Sequence, residues 1–178
     1  MFKDVIDFWF NELEPKQWWQ KDGDLDSMIQ RRFGALHEQA RVGELFTWRE
    51  TALGSLAEVI VLDQFSRNIY RDTPDSFACD PMALVLAQCA ISKNLDRQLS
   101  AIQCSFLYMP FMHSESKLIH AEAVKLYEAL GIQNSLDFEY RHKAIIDRFG
   151  RYPHRNKILG RMSTEDEKEF LEQPNSGF

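Results

Sequence analysis

The chain lacks the marks of several protein classes. Only three of its 178 residues are cysteine, Cys79, Cys89 and Cys104, and no two share a CxxC spacing. An odd, unpaired set argues against a disulfide framework and for the reduced thiols of a cytoplasmic protein. No run approaches the ~18–20 apolar residues of a membrane span. The opening MFKDVIDFWF is interrupted by Asp4 and Asp7 and lacks the cleavage site of a signal peptide. Alternating β-branched runs, a Gly-rich phosphate loop, GxGxxG, HExxH and GxSxG are all missing. No cofactor is therefore expected, and no metal, since no histidine pair has the i,i+4 spacing of helical zinc sites.

What is present suits one globular domain spanning residues 1–178. Hydrophobic residues make up 44% and aromatics 12%, enough for a sizeable core. The net charge of −6 excludes a broad attraction to nucleic acid or anionic membrane.

The apolar period is helical nearly throughout. Phe2, Val5, Ile6, Trp9 and Leu13 line a first helix; Leu25, Ile29, Phe33, Leu36 and Ala40 a second; Leu53, Leu56, Ala57 and Ile60 a third. Asp80-Pro81 reads as an N-cap and first helical residue, followed by the stripe Met82, Val85, Leu86, Cys89 and Ala90. A fifth helix carries Leu99, Ile102, Phe106 and Met109 and should bend or stop at Pro110. Ser114 is expected to cap a sixth helix that Gly131 ends, and a seventh runs from about Leu136 to Phe149 before Gly150. Thr164 and Glu167 have capping-box spacing and open a last, charged helix. The prediction is an all-α fold of about eight helices packed as antiparallel hairpins.

Three polar segments stand out. In LDQFSRNIYR, Asp63 can pair with Arg67 at i,i+4, while Arg67 and Arg71 suit a carboxylate or phosphate with their forked donors. A structural ion pair explains the same residues. In FLYMPFMHSES, His113 beside Glu115 reads as an oriented acid/base pair or as ordinary capping chemistry. The third, HKAIIDRFGRYPHRNKILGR, holds seven basic residues and one acid between Arg141 and Arg161, a local +6 that leaves −12 for the rest. His142 shares a face with Ile145 and Phe149 and reads as buried. Arg151, His154, Arg155 and Asn156 crowd a Gly/Pro-punctuated loop, which either wraps a ligand or neutralises the acidic last helix. Cys89 and Cys104 read as small core residues and Cys79 as a loop thiol.

Together with the opening DFWF…WW and the tail STEDEKEFL, these segments closely resemble domain-of-unknown-function family 924 over essentially the whole chain. The resemblance implies a right-handed array of helical hairpins similar to tetratricopeptide-repeat folds, although that repeat's W-x₂-L-G-x₂-Y pattern is absent. Its signature positions fall on Asp63, Gln64, Arg67, Asn68 and Arg71; on Tyr108, Pro110, His113, Ser114 and Glu115; and on Arg151, Pro153, His154, Arg155 and Asn156. Ser66 stands where a proline is expected in relatives. The resemblance implies no reaction.

The expected site is a pocket for a small anion, a carboxylate or a phosphate ester. Arg67, Asn68, Arg71, Tyr108, Arg151, Arg155 and Asn156 are its binding candidates. His113 and His154 are the acid/base candidates, with Glu115 orienting a histidine. The rival reading is an interaction module whose basic groove clamps an acidic peptide, with the Arg/His network purely structural.

Overall fold

The computed structural model describes residues 1–174, 176 and 177, and among them it is helical without a strand. Helix α1 (Phe2–Asp7) widens into a π turn, Phe8–Glu12. Helix α2 (Gly23–Arg41) starts where the Asp22 carboxylate accepts from the amides of Asp24 and Leu25. Helix α3 (Ala52–Ile60), capped by Thr51, runs through a second π turn, Val61–Phe65, into α4 (Ser66–Ile69). The short α5 (Asp75–Ala78) leads to α6 (Asp80–Ser92), then α7 (Ala101–Met112), α8 (Lys117–Leu130) and α9 (Gln133–Phe149). Helix α10 (Glu165–Leu171) opens with the expected Thr164/Glu167 capping box. Gly131 and Gly150 end α8 and α9 with φ of 75° and 71°, a left-handed conformation that glycine adopts without cost.

Consecutive helices α6, α7, α8 and α9 pack each on the next through short connections, so they alternate in direction. Helix α3 sits at the centre, against α1, α6 and α7. The core there is aromatic: Phe8 meets Phe33 at 5.0 Å, Phe33 meets Phe65 at 4.9 Å, and Trp9 meets Phe106 edge-on at 5.7 Å. Gly54 lets α3 touch the preceding turn, since a Cβ there would lie 2.1 Å from the Trp48 carbonyl oxygen. A smaller cluster of Ile145, Ile146 and Tyr152, flanked by Phe149 and Phe170, anchors the last loop and α10. Among the described residues no helix is long and apolar enough to cross a membrane.

Several local expectations are corrected. Cys79 takes the N-cap position of α6 and Asp80 is its first residue; the Asp80 carboxylate is drawn away to an arginine. Helix α7 runs on past Pro110 for two residues and ends at Met112, although proline has no amide hydrogen to give the Phe106 carbonyl. Ser116 caps α8, while the Ser114 hydroxyl accepts from the Ser116 amide. Helix α6 is apolar nearly all round, so its period did not specify a face. Ala83, Leu86, Ala87 and Ala90 are buried, whereas Met82, Val85 and Cys89 are exposed. Cys79, read as a loop thiol, is buried.

Candidate functional site

The π turn in the middle of the α3–α4 helix builds the site. Residues 54–66 are buried on every side, so its two consecutive polar side chains, Asp63 and Gln64, both lie inside the protein. Asp63 is 1% exposed, and its carboxylate receives Nδ1 of His113 at 2.7 Å, Nε2 of Gln64, and Arg67 at 3.2 Å. Burial alone would push this carboxyl up. Arg67 and His113 outweigh it and hold Asp63 below the ordinary carboxylate range, so it is ionised at neutral pH.

Arg67 is held by protein acceptors through both Nη atoms. It donates to the Asp63 carbonyl at 2.8 Å and grips Asp80 with both ends of its fork, at 2.9 and 3.0 Å. Asp80 thus joins two segments, because Arg155 reaches the same carboxylate through Nη1 at 3.3 Å.

Where these groups meet the surface there is a cleft of about 390 Å³. Phe77, Pro81, Leu84, Pro110 and Leu159 form its apolar walls. Asp80, His113, Ser114, Glu115 and Arg155 supply the polar part. Arg155 lies between the rings of Phe77 and Tyr152, 4.6 Å from each centroid, with its side chain 7% exposed. Its long contact with Asp80 is its one hydrogen bond to the described residues, and Nε is buried with no partner among them. Burial, and then the neighbouring Arg67 charge, lower its affinity for its own proton. A cation in that position is short of an anion.

His113 is the second group with capacity to spare. Its Nδ1–H is committed to the ionised Asp63, which leaves Nε2 as an acceptor with no partner among the described residues. Burial and then Arg67 lower its pKa, so the ring is neutral at pH 7. Asp63, a carboxylate fifty residues away in sequence, orients this histidine. Glu115 does not: Arg161 holds its carboxylate at 2.6 and 2.9 Å, and it accepts from the Tyr152 amide at 2.8 Å. Glu115 therefore pins the Arg155 loop to the start of α8. His154 stands beside the Tyr152 ring, and burial followed by the Arg155 charge lowers its pKa to about 4.

The remaining predicted residues lie elsewhere. Asn68 and Arg71 both donate to Asp26 of α2, Arg71 through two nitrogens. The Tyr108 hydroxyl donates to Asp96. Arg151 forks onto Glu167 at 2.7 and 2.8 Å, and Asn156 donates to Ser163 and to the same Glu167. That contact with Arg151, outweighing burial and helped by the Thr164 amide, lowers the Glu167 pKa to about 2. His142 is buried as expected, its Nδ1 against the Phe138 carbonyl. Ser66, at the position where a proline is expected in relatives, is buried and donates to the Leu62 carbonyl at 2.6 Å.

Three participants were not singled out from sequence: Asp80, Phe77 and Tyr152. Asp80 looked like a cap, and the aromatics had no charge pattern to mark them. Among the described residues no group of three or more His, Cys, Asp or Glu converges on a point that would hold a metal ion.

Comparison with known proteins agrees with this architecture. No curated protein matches the chain. A solved structure, that of a protein of unknown function from Agrobacterium tumefaciens, is 38% identical and superposes with a TM-score of 0.91, covering 96% of each chain. The family model described as bacterial protein of unknown function, DUF924, matches residues 5–175. The chain therefore belongs to the DUF924 family.

Proposed function

We propose that the cleft between α5, the start of α6, the α7–α8 turn and the Arg155 loop is a receptor for a small anion. The observation that carries this reading is Arg155, a nearly buried guanidinium 4.6 Å from each of two ring centroids, with a buried Nε that has no partner among the described residues. Every other arginine of this network is matched to carboxylates with both ends of its fork. The cleft's volume suits a metabolite-sized ligand. His113, oriented by Asp63, is the group positioned to take or give a proton at Nε2 if the bound anion reacts. We read the scaffold as a tetratricopeptide-like array of hairpins. Its three unpaired thiols suit the reducing cytoplasm of a bacterium.

The test is thermal unfolding of the wild type and Arg155→Gln against acetate, butyrate, inorganic phosphate and simple phosphate esters. A ligand at ~100 times its Kd stabilises by about 2.7 kcal/mol, or roughly 5–10 °C for a domain of this size. A shift of that order in the wild type, lost in the variant, supports the reading. Absence of a shift with every anion contradicts it and turns attention to an acidic peptide as the partner.

A further inference from the structure

Resting on that reading, we infer that the ligand is a small monocarboxylic acid carrying a hydroxyl group a few atoms away. Four observations lead there.

The first is charge. Among the described residues Arg155 is the single arginine or lysine lining the cleft, and the carboxylates of Asp80 and Glu115 line it too. A phosphate dianion entering there would neutralise one guanidinium while facing two carboxylates. A carboxylate monoanion matches the one deficient charge, and its two oxygens fit a guanidinium edge.

The second is what those two carboxylates are already doing. Asp80 is shared by Arg67 and Arg155, and Glu115 is held by both ends of the Arg161 fork. Neither is left to pair with an ammonium group, which argues against an amino acid.

The third is His113. Asp63 fixes the ring with Nδ1 as the donor, so the nitrogen left unpartnered is an acceptor. A plain carboxylate brings no donor to meet it. A hydroxyl does.

The fourth is the wall. Phe77, Pro81, Leu84 and Pro110 line the cleft with apolar surface, and its volume of about 390 Å³ admits a ligand on the order of ten non-hydrogen atoms. A short carbon chain between carboxylate and hydroxyl would cover that surface.

Calorimetric titration of wild type, Arg155→Gln and His113→Asn with 3-hydroxybutyrate, butyrate, 3-aminobutyrate and propyl phosphate separates the possibilities. Asparagine can keep a donor toward Asp63 while removing the Nε2 acceptor. The wild type is expected to bind 3-hydroxybutyrate about tenfold more tightly than butyrate, the worth of one hydrogen bond. His113→Asn should erase that difference and leave butyrate affinity within about threefold, and Arg155→Gln should weaken both acids tenfold or more. Equal wild-type affinity for butyrate and 3-hydroxybutyrate overturns the inference. Tightest binding of propyl phosphate or 3-aminobutyrate also overturns it, while leaving the anion site standing. Failure of all four probes to bind the wild type overturns the anion site as well. Should His113→Asn fail to fold, the wild-type ratio of the two acids still decides.

Discussion

Two arginine clusters in this protein begin from similar sequence and end in opposite states. Around Asp26, Arg71 donates through Nε and Nη2 and Asn68 adds a third hydrogen bond, so the guanidinium has a carboxylate of its own. At the cleft, Arg67 is matched in the same way to Asp80, but Arg155 must share that carboxylate at a longer distance and is left with a buried, unpartnered Nε. Both clusters hold guanidiniums near a helix end. What separates them is the number of carboxylates the fold delivers. A closed pair stabilises structure. An unmatched guanidinium held in place by aromatic rings is what the proposed anion site rests on, because most of its desolvation and ordering is complete before a ligand arrives.

The largest effect should come from breaking the matched arginine at the cleft. Arg67→Ala strands the buried Asp63 and half of Asp80, a loss of about 3–5 kcal/mol. At roughly 2–4 °C per kcal/mol the melting temperature should fall by about 6–20 °C. A drop of under about 3 °C in a thermal melt would mean that the pair is solvated and that the comparison fails.

Acid should act on the cleft side next. The His154 pKa lies at about 4 in the folded protein, below the ordinary 6.5. Its contribution is therefore complete above pH 6.5 and is lost as the pH falls toward 4, roughly 3 kcal/mol in all. The Glu167 pKa, lowered to about 2 chiefly by Arg151, withdraws a further contribution between pH 4.5 and 2. Melting curves from pH 7 to pH 3 check both, and replacing His154 with Phe should make the decline between pH 6.5 and 4 shallower, with the other buried histidines of lowered pKa, His37, His113 and His142, supplying what is left.

Gly54→Ala is a control that touches neither cluster. A methyl group 2.1 Å from the Trp48 oxygen must displace α3, costing about 1–3 kcal/mol. Anion binding by the variant below its melting temperature should be retained, which would separate general destabilisation from loss of the site.

The smallest stability changes carry the sharpest contrast. Arg71→Gln should cost about 1–2 kcal/mol of stability and leave anion binding alone, since it removes charged hydrogen bonds remote from the cleft. Arg155→Gln should cost less stability than Arg71→Gln, yet abolish anion-induced stabilisation. If the two variants behave alike in both assays, the distinction between matched and unmatched arginines is wrong.

Much of the scaffold was legible in the sequence because helical period and capping chemistry are local. The Thr164/Glu167 box, the stops at Gly131 and Gly150, and the inward stripe of α2 all needed only nearby residues. Helix α6 shows the limit: a helix apolar on every side leaves its buried face to its neighbours, and Val85 ended outside. The site was half legible. Arg67, His113, Glu115 and Arg155 do converge on one region, but which charges would be cancelled was invisible. The partners are far away in sequence: His113 meets Asp63, Arg161 meets Glu115, and Arg155 meets Asp80. Asp80 was hidden by its own plausibility as a helix cap. The burial of Asp63 was equally hidden, because the helix around it is covered on every side and its period marks no inward face.

The central claim, that Arg155 alone among these arginines is free to receive an anion, is tested most directly by side-chain NMR. The ¹⁵Nε–¹Hε signals of Arg67, Arg71, Arg151 and Arg155, assigned through single substitutions, would be followed while butyrate or 3-hydroxybutyrate is added. The account predicts a saturable movement of the Arg155 signal, with those of Arg67, Arg71 and Arg151 nearly stationary. An Arg155 signal that stays fixed, or four signals that drift together with ionic strength, would contradict it.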